Sequence, residues 1–384
     1  MNKYHIVSPG SNLGMLGGGQ LGGFFTEAAL RMGYKVSVWD PSKNAPAKRF
    51  ASRSYDSPFD NFIIAEDFAN SVDAISLEWE NVPKDLVEYL EKRVSVRPGS
   101  KSLNLAQNRI FEKDFLKSNN IPITNYKAIY KMSDFDDITF PKPWIIKTAT
   151  MGYDGHGQWR ITGDNDLELL KPYLSEGPWV AESIVDYNVE ISVIVAFDGH
   201  NVTSVYPVIE NHHENSVLRY SIYPARVSEK TQDNAKNIAK YIVHSLGDPG
   251  LFCVEMFVVR NDDIVVNEIA PRPHNSGHLT IDGFSQSQYE MQIRVLCGLP
   301  LPTPISYDGP IVMLNILGYE SEKLITDHIY TKFLNDGSGK LYLYGKEEVR
   351  KGRKMGHIVY KGLSQDILIN SAIGTLGLLT DDRG

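Results

Sequence analysis

The amino-acid sequence predicts a mixed fold, in which an α/β region at the N-terminus precedes a larger α+β region. Near the N-terminus, an apolar run, a glycine turn and a stretch of helical periodicity follow one another between residues 13 and 32. From residue 144 onward, short runs rich in Val, Ile and aromatic residues recur with turns between them, as in antiparallel sheets. The chain has 384 residues, of which 42% are hydrophobic, so it can form two or three domains with sizeable cores.

The first predicted unit is a strand, a helix and a second strand. Leu13–Leu16 has the composition of a strand, and Gly17–Gly19 that of a tight turn. In Gln20–Met32 the apolar side chains recur every three or four residues, which predicts a helix that Gly33 ends. Lys35–Trp39 is the next predicted strand.

The glycine turn has the spacing of a dinucleotide-binding motif. Gly17, Gly19 and Gly22 match G-x-G-x-x-G, and Asp40 follows about twenty residues later. The same turn serves any anion site between a strand and a helix. A nicotinamide-dependent oxidoreductase is therefore one open alternative.

Further elements complete a small N-terminal domain that ends near Gly99. Glu80 lies just past the carboxyl end of a predicted strand, where sheets of this kind place their ligands. The predicted helices are Asn61–Asn70 and Val82–Glu91, and the predicted strands are Asp73–Glu78 and Val94–Arg97.

A long helical pattern begins at Ser100, the predicted cap, and runs through Leu116. Arg109 and Lys113 are four residues apart on it and share one face. Most such pairs are solvated, so this pair alone indicates no site.

A glycine-rich loop then joins two predicted strands, Trp144–Lys147 and Gln158–Ile161. Three glycines between Gly152 and Gly157 let the backbone flex and come close to an anion. Lys147 ends the incoming strand and offers a point charge for phosphate. The alternative is that this lysine only solubilises a flexible hairpin. Beyond the loop, the predicted strands are Trp179–Ile184, Glu190–Phe197 and two runs around Tyr206 and Tyr220, followed by a helix over Ser228–Leu246.

The stretch Phe252–His278 predicts a β-hairpin with its turn at Asn261 and Asp262. That turn places Glu255 opposite Glu268, Phe257 opposite Val266 and Val259 opposite Ile264. Opposed carboxylates repel each other unless a cation lies between them. A hard ion such as Mg²⁺ takes one or two carboxylates together with substrate phosphates, so the pair predicts a magnesium site. A solvent-facing pair of acidic strands is the alternative.

Polar groups crowd the end of this hairpin and favour a functional site over an acidic edge. Within a dozen residues the chain offers several hydrogen-bond donors and a candidate base, more than an edge hairpin requires. They are Asn267, Arg272, His274, Asn275 and His278.

Composition narrows the class of protein. With 39 basic and 47 acidic residues, the net charge of −8 argues against nucleic acid or a membrane surface as a partner. Two cysteines, Cys253 and Cys297, cannot form a disulfide framework and favour a reducing compartment. No apolar run approaches the ~20 residues of a membrane helix. We therefore expect a cytoplasmic protein.

Four motifs together carry a resemblance to a known family. They are GGGQLG at Gly17–Gly22, GYDGHGQ at Gly152–Gln158, NEIAPRPHNSGH at Asn267–His278 and GRKMGH at Gly352–His357. The chain resembles the N5-carboxyaminoimidazole ribonucleotide synthetases, ATP-grasp ligases of purine biosynthesis, over nearly its whole length.

The resemblance implies a three-part architecture and a reaction. A Rossmann-like domain is expected at residues 1–99, an ATP-grasp domain at 100–300 with a mobile lid at about 140–186, and a small C-terminal domain at 301–384. The family members are usually homodimers. Their reaction combines ATP, bicarbonate and 5-aminoimidazole ribonucleotide to give the N5-carbamate, ADP and phosphate, with Mg²⁺ as cofactor.

The resemblance also assigns residues to the nucleotide. Arg109 and Lys147 are expected to contact the ATP phosphates, and Glu255 and Glu268 to hold Mg²⁺. The lid loop would consist of Gly152, Tyr153, Asp154, Gly155, His156, Gly157 and Gln158. The adenine, the ribose and the rest of the nucleotide would be met by Glu182, Ser183, Ile184, Val185, Glu190, His213, Asn267 and Glu268.

A second set is expected to face the aminoimidazole ribonucleotide and bicarbonate: Gln20, Glu80, Tyr153, Asp154, Arg272, His274, Asn275 and Ser276. The basic run with Lys346, Arg353 and Lys354 fits the phosphate of the ribonucleotide; a solvated charge cluster is the alternative. Asp154 is the favoured base, His274 is second, and Arg272 is counted with them as catalytic. A lid is expected because the intermediate, carboxyphosphate, hydrolyses readily in water.

Four positions depart from the usual family pattern: Gly23, Asn108, Met151 and His156. The last two bear on the flexibility of the lid and on one phosphate contact. None of the four removes a predicted metal ligand or Asp154.

Two further alternatives accompany the oxidoreductase. A formate-dependent glycinamide ribonucleotide transformylase shares the fold, but Asn275-Ser276 and Tyr153-Asp154 depart from its motifs. A nucleotide sensor without activity would bind ATP and show no substrate-dependent hydrolysis. The Gly17–Gly22 turn and Asp40 alone support the oxidoreductase, which leaves the Glu255/Glu268 pair unexplained.

Overall fold

A computed structural model describes residues 6–150, 152, 157–170, 172–173, 177–337 and 339–380. The N-terminal region is a parallel sheet with crossover helices, as predicted. Its strands are β1 (Asn12–Leu16), β2 (Lys35–Trp39), β3 (Arg53–Tyr55), β4 (Ala74–Leu77) and β5 (Ser95–Val96). Its helices are α1 (Gln20–Arg31), α2 (Phe62–Ser71) and α3 (Lys84–Glu91).

The strand order β3-β2-β1-β4-β5 places β1 beside β4 at the point where the order reverses. Ligand crevices of doubly wound sheets lie at the carboxyl ends of such strands. Gly17 follows β1 there, and Glu78 follows β4. The fold therefore brings the glycine turn and the Glu78–Glu80 segment together.

The single helix predicted from Ser100 is in fact two helices, α4 (Ser100–Ala106) and α5 (Arg109–Ser118). Asn108 separates them, because its Oδ1 accepts hydrogen bonds from the backbone N–H groups of Ile110 (2.9 Å) and Phe111 (3.4 Å). An asparagine in this position caps a new helix rather than continuing the old one. Ser100 is the first residue of α4 and not its cap.

The next region is a four-stranded antiparallel sheet in the order β6-β9-β7-β8. Its strands are β6 (Tyr126–Ile129), β7 (Trp144–Thr148), β8 (Gln158–Ile161) and β9 (Trp179–Ser183), and its helix is α6 (Asp164–Leu170). This small sheet has a core of its own, built around Trp144, Ile146 and Trp179.

A nine-stranded sheet forms the centre of the molecule, in the order β15-β14-β10-β12-β13-β16-β18-β17, with β11 beside β10. Its strands are β10 (Val189–Phe197), β11 (Thr203–Val205), β12 (Ile209–Glu214), β13 (Val217–Tyr223), β14 (Gly250–Val258), β15 (Ile264–Ala270), β16 (Ile311–Leu317), β17 (Gly339–Leu343) and β18 (Lys354–Lys361). The strands beyond residue 310 extend the central sheet rather than form another.

Helices cover both faces of this sheet. They are α7 (Glu229–Leu246), α8 (Thr280–Gly283), α9 (Gln288–Leu296), α10 (Glu320–Leu324), α11 (Asp327–Asp336) and α12 (Gln365–Thr380). Side chains of α9, among them Tyr289 and Ile293, share a core cluster with Phe25 of α1, which docks the N-terminal region on the central one. Among the described residues, no helix is long and apolar enough to span a membrane.

The predicted hairpin is β14 and β15, and its register is right at one point and wrong beside it. Glu255 pairs with Glu268, as predicted. Phe257, however, faces Val265 instead of Val266, and Val258 rather than Val259 faces Ile264. The connecting turn spans five residues, 259–263, and an extra residue in β15, Asn267, forms a β-bulge that restores the pairing of the two acids.

Candidate active site

The two opposed carboxylates lie at the edge of the central sheet, since β15 is its outermost strand. Burial and the charge of Glu268 raise the pKa of Glu255. Burial also opposes ionisation of Glu268, but Arg109, Lys147 and Arg272 outweigh it and lower the pKa of that carboxyl. The pair therefore concentrates its negative charge on Glu268.

This donor set fits Mg²⁺. Glu255 Oε1 is buried, and although His274 Nε2 lies 3.1 Å away, it accepts no hydrogen bond of good geometry from the residues that the structure describes. A cation between the two acids would satisfy that oxygen and remove their repulsion. No group of three or more His, Cys, Asp or Glu side chains in the described ranges is arranged to hold a metal. The remaining ligands would therefore come from phosphate and water, as is usual for Mg²⁺.

Arg109 connects the acid pair with the glycine loop. It is the first residue of α5, and its Nη1 lies 3.3 Å from Glu268 Oε2. Its Nη2 donates to the carbonyl oxygen of Gly152 at 3.3 Å. A guanidinium in this place can donate hydrogen bonds to an anion that binds between the loop and the acid pair.

Lys147 pairs with a carboxylate that it shares with another lysine. Its Nζ lies 3.1 Å from Glu182 Oε1, and Lys113 Nζ lies 3.3 Å from Glu182 Oε2. Burial works against ionisation of Glu182, but the two lysines outweigh it and lower the pKa of Glu182 to about 2. Burial lowers the pKa of Lys147, and Glu182 opposes that change. Glu182 is thus a permanently charged anchor between two ammonium groups.

Glu190 and His213 form an ion pair in the same cleft, Nδ1 to Oε2. Burial disfavours the charged imidazole, but Glu190 and Glu255 outweigh it and raise the pKa of His213. The cleft is lined by Glu190, His213, Glu255 and Asn267, among others. Four sequence-predicted residues therefore surround one small space.

Ser183, Ile184 and Val185 lie at the end of β9 and in the extended segment after it. The backbone N–H of Ser183 donates to Asn125 (3.0 Å), and its carbonyl accepts from Thr124 Oγ1 (2.9 Å). Ser183 is therefore already held by the β6 side of the small sheet, and Ile184 and Val185 continue the chain past the sheet.

Arg272 and Glu80 join the N-terminal and central regions across the site. Arg272 Nη2 lies 2.7 Å from Glu80 Oε1, and its Nη1 donates to the carbonyl of Pro273 at 3.0 Å. The carbonyl of Glu80 in turn accepts from Gln107 Nε2 at 2.6 Å. These contacts orient both charged groups from two sides.

His274 is held as a neutral imidazole beside Glu255. Burial, with the charges of Arg272 and Lys354, keeps the pKa of His274 well below its ordinary value. His274 Nε2 lies 3.1 Å from Glu255 Oε1, and Nδ1 lies 2.8 Å from Ser276 Oγ. An imidazole with a depressed pKa is a weak base, so His274 is better suited to orienting than to accepting a proton.

Asn275 and Ser276 are buried in the same turn. Ser276 Oγ lies 2.8 Å from Ser192 Oγ. Neither amide atom of Asn275 has a hydrogen-bond partner among the described residues. A buried amide with both atoms unsatisfied suits a ligand that supplies a donor and an acceptor.

The glycine turn of the N-terminal region holds the protein's own carboxylates. The N–H groups of Gly19 and Gly22 donate to the two oxygens of Glu78, the second at 2.5 Å, and Gly18 N–H donates to Asp40 Oδ2 at 2.7 Å. A dinucleotide would need its pyrophosphate at this helix N-terminus. Glu78 occupies the place, which argues against the oxidoreductase alternative. Gln20 lies between the two glycines that Glu78 contacts.

The basic run of the C-terminal region reaches the site in part. Lys354 influences the pKa of both Glu255 and His274, and Lys346 donates to the carbonyl of Lys354 at 2.8 Å. Arg353 donates to the carbonyl of Glu348 at 2.6 Å, within its own loop. The charge of Lys354 is therefore felt at Glu255 and His274, whereas Arg353 is hydrogen-bonded within its own loop.

Part of the predicted lid loop lies outside the described residues: Tyr153, Asp154, Gly155 and His156, as does Met151 before the loop. Of the remainder, Gly157 has φ +72° and its carbonyl accepts from Thr148 N–H at 2.8 Å. Gln158 Nε2 donates to Ser216 Oγ at 2.8 Å. Gly152 contacts Arg109, so the start of the loop lies against the site, whereas Gln158 contacts the turn between β12 and β13.

Three residues of this neighbourhood have no role in the sequence-based prediction. They are Glu78, Glu112 and Lys113. Glu78 follows a strand at the switch point, which is the usable signal. For the other two, the signal is a pair of charged residues on the apolar face of α5.

Three domain families match the chain in order. They are the ribonucleotide synthetase preATP-grasp domain at residues 11–107, the ATP-grasp domain at 114–289 and the phosphoribosylaminoimidazole carboxylase C-terminal domain at 311–371.

Two curated proteins illustrate the similarity. An N5-carboxyaminoimidazole ribonucleotide synthase of Bacillus subtilis (strain 168) is 36% identical over 364 residues, covering 94% of this chain and 94% of the relative. A bifunctional purine synthesis protein purC/E of Dictyostelium discoideum is 37% identical over 381 residues, covering 92% of this chain. The match spans only 37% of that longer protein.

Solved structures of proteins with the same family name are also similar to this chain. An N5-carboxyaminoimidazole ribonucleotide synthetase in complex with ADP superposes with a TM-score of 0.92 at 34% identity, covering 97% of this chain and 98% of the other. An N5-carboxyaminoimidazole synthase of Aspergillus clavatus, in complex with ADP and 5-aminoimidazole ribonucleotide, gives a TM-score of 0.85 at 27% identity, covering 96% and 98%.

Proposed function

The chain belongs to the N5-carboxyaminoimidazole ribonucleotide synthase family, and on that premise we propose which of its residues carry out the reaction. It is a ligase of purine biosynthesis that uses ATP to convert 5-aminoimidazole ribonucleotide into N5-carboxyaminoimidazole ribonucleotide. The observation that carries the proposal is the opposed Glu255/Glu268 pair, with Arg109 beside it.

Glu255 and Glu268 would hold Mg²⁺, which neutralises charge on the transferring phosphoryl group when bound. Arg109 and Lys147 would contact the phosphates of ATP. Lys147 now pairs with Glu182, which Lys113 also contacts, so Glu182 keeps a cationic partner if Lys147 turns to a phosphate. The positive side chains thus supply most of what phosphoryl transfer asks of a protein, which is positioning and charge stabilisation.

The carboxyl donor in this proposal is bicarbonate. One of its oxygens forms a bond to the γ-phosphorus, the bond from that phosphorus to the β,γ-bridging oxygen breaks, and ADP leaves. The resulting carboxyphosphate gives CO₂ and phosphate. The exocyclic amine of the ribonucleotide attacks CO₂ and loses a proton to a base. Closure of the loop Gly152–Gln158 would exclude the water that destroys carboxyphosphate.

On the ribonucleotide side, Asp154 is the proposed base, and Arg272 and His274 orient the reacting groups. Gln20, Glu80, Tyr153, Asn275 and Ser276 would bind the aminoimidazole ribonucleotide and bicarbonate. Lys346, Arg353 and Lys354 would bind its phosphate. The contact between Arg272 and Glu80 and the unsatisfied amide of Asn275 support these roles.

On the nucleotide side, Glu182 to Val185 would line the adenine and Glu190 the ribose. His213 and Asn267 border the same cleft, and Gly155, His156, Gly157 and Gln158 would cover the phosphates. We further propose domain boundaries at residues 1–99, 100–300 and 301–384, a lid at about 140–186, a homodimer and a cytoplasmic location.

Release of ADP tests the function directly. The assay would contain Mg²⁺, ATP, bicarbonate and 5-aminoimidazole ribonucleotide, and then omit each in turn. We expect release to need the ribonucleotide and to rise with bicarbonate. Equal release without the ribonucleotide would contradict the substrate. Formate with glycinamide ribonucleotide is the matched control, and turnover with that pair would favour the transformylase.

A further inference from the structure

Helix α5 supplies hydrogen bonds to the edge strand that bears Glu268. An edge strand leaves the outward N–H and C=O groups of its backbone without a neighbouring strand. On β15, the outward N–H of Ile269 donates to Glu112 Oε1 at 2.6 Å. The carbonyl of Asn267 accepts from Lys113 Nζ at 3.2 Å. Side chains of one helix thus take the place of a missing strand at Asn267 and Ile269, while the backbone N–H of Val266 donates to the carbonyl of Pro122 at 2.8 Å.

These contacts bracket the predicted metal ligand. Asn267, Glu268 and Ile269 are consecutive, and Arg109 contacts the carboxylate of the middle residue at 3.3 Å. Positions 109, 112 and 113 share one face of a helix because they are three and four residues apart. Three side chains of α5 therefore hold three successive residues of β15.

The segment that they hold is the β-bulge. A bulge disrupts the ladder locally and leaves its extra residue unpaired. Asn267 is that residue, and without it Glu268 would move out of register with Glu255. A one-residue shift along a strand turns a side chain to the opposite face. The position of Glu268 opposite Glu255 thus depends on whatever stabilises the bulge.

The burial of Glu112 and Lys113 is unusual for a helix face. Glu112 is 4% exposed and Lys113 is 2% exposed. At such a buried position, apolar side chains of similar volume often stabilise the folded protein at least as well as charged ones do. Lys113 also contacts Glu182, so the same ammonium group links β15 to β9. Charged residues here are explained by the polar groups that they hold.

We propose that Glu112 and Lys113 are positioning residues, which fix the bulge at Asn267 and thereby the carboxylate of Glu268 for a divalent cation. The inference rests on the proposed function, because it takes Glu268 as a ligand of Mg²⁺. Glu112 acts through the backbone of Ile269, and Lys113 acts through the carbonyl of Asn267. Neither side chain needs to contact the cation.

Two variants of Glu112 separate a hydrogen-bonding role from a packing role. Glu112→Gln keeps an oxygen that can accept from Ile269 N–H, whereas Glu112→Leu fills a similar volume without an acceptor. Asp114→Asn is the matched control, because Asp114 is on the same helix, is exposed and contacts Tyr126 instead. Purified full-length proteins would be compared in two measurements.

The first measurement is hydrogen exchange at the Ile269 amide, without nucleotide or metal. We expect protection in the wild type, Glu112→Gln and Asp114→Asn, and loss of protection in Glu112→Leu. The second is the affinity for ADP with and without Mg²⁺. In Glu112→Leu we expect the gain in affinity from Mg²⁺ to fall about 10-fold, as for outer-shell residues of metal sites. Affinity without Mg²⁺ should remain at the wild-type value.

Two results would overturn the inference. One is a Glu112→Leu protein that keeps the full gain from Mg²⁺. The other is an equal loss of ADP affinity with and without Mg²⁺, which would indicate a general structural role. If Glu112→Leu does not fold, Glu112→Asp decides, because its shorter side chain keeps the charge but cannot reach Ile269 without a shift. It too should lose the gain from Mg²⁺.

The wild type and Glu268→Gln distinguish this inference from the proposed function. If Mg²⁺ does not tighten ADP binding in the wild type, or tightens it equally in Glu268→Gln, the metal site itself is wrong. If Glu268→Gln loses the gain and Glu112→Leu keeps it, the metal site stands and only the positioning role fails.

Discussion

The carboxylate of Glu78 and the pair Glu255 and Glu268 differ in the partners that the protein provides for their oxygens. Glu78 lies at the N-terminus of α1, where both of its oxygens accept backbone N–H groups, from Gly19 and Gly22. Glu255 faces Glu268 across a strand pair, and its Oε1 accepts no hydrogen bond from the described residues. We call the glycine turn beside Glu78 the closed site, because a carboxylate of the protein itself fills this anion site. We call the space between Glu255 and Glu268 the open site, because the two acids can bind a cation there.

Burial alone does not distinguish them. It raises the pKa of Glu78, although the two glycine N–H groups counteract it. It also raises the pKa of Glu255, together with the charge of Glu268. What differs is the supply of donors: two backbone N–H groups donate to Glu78, whereas Glu255 Oε1 lies 3.1 Å from His274 Nε2 and accepts no hydrogen bond of good geometry from the described residues. In a ligand-binding fold, the acid that is short of donors is the one to examine for a metal.

The largest effect should come from the open site. Glu268→Gln removes the charge that Arg109 and the cation share, so we expect it to abolish turnover and the gain in ADP affinity from Mg²⁺. Calorimetric titration of ADP with and without Mg²⁺ measures the binding effect. Unchanged kinetics and binding would contradict the metal site, and Asp114→Asn serves as the control.

The carboxylate proposed as the base, Asp154, should give the next largest effect. Asp154→Asn is expected to reduce turnover by about 10²-fold or more, because the amide cannot accept the proton of the amine. ADP binding with Mg²⁺ should stay near the wild-type value. Steady-state kinetics and the same titration check both parts. Full activity in this variant would eliminate Asp154 as the base.

At the closed site, substitution should cost stability and leave the metal response intact. Glu78→Gln puts an NH₂ group against one of the glycine N–H groups, so we expect a loss of about 2 kcal/mol in the free energy of unfolding. Denaturant unfolding measures this loss. The gain in ADP affinity from Mg²⁺ should be unchanged. A variant of full stability that has lost this gain would reverse our assignment of the two sites.

The smallest effect concerns Glu190, whose carboxylate has a titratable partner. Glu190 raises the pKa of His213 against the effect of burial, so the pair stabilises the folded protein below pH ~6.5, the ordinary pKa of histidine. That contribution is lost as the pH rises through the raised pKa of His213. Relative to that of His213→Gln, the free energy of unfolding of the wild type should fall by under about 1 kcal/mol between pH 6 and pH 9.

Thermal unfolding of both proteins across this range checks the prediction. A difference that is independent of pH would show that His213 does not titrate in this window. A difference that grows with pH would contradict the sign that we expect.

Local sequence patterns predicted much of the site. The strand, turn and helix that begin at Leu13 and the pairing of Glu255 with Glu268 both follow from short-range periodicity. The same patterns did not predict the bulge at Asn267, and they made the turn of the hairpin too short. The acids still meet because the longer turn and the bulge compensate for each other.

Long-range partners were not predictable from the same patterns. Glu78 is satisfied by glycines 56 and 59 residues away, and Glu112 by an amide 157 residues away. Nothing in the local sequence specifies such contacts, since they depend on tertiary packing. The same holds for β16 and β18 of the matched C-terminal domain, whose pairing with the central sheet no local pattern specified.

The most direct test of this account is anomalous X-ray scattering from Mn²⁺ in crystals of the ADP complex. Mn²⁺ shares the preference of Mg²⁺ for oxygen ligands, and its scattering identifies its position. We predict a peak within coordination distance of both Glu255 and Glu268, and none beside Glu78. A peak that contacts neither of the opposed acids, or one in the glycine turn beside Glu78, would contradict the distinction between the open and the closed site.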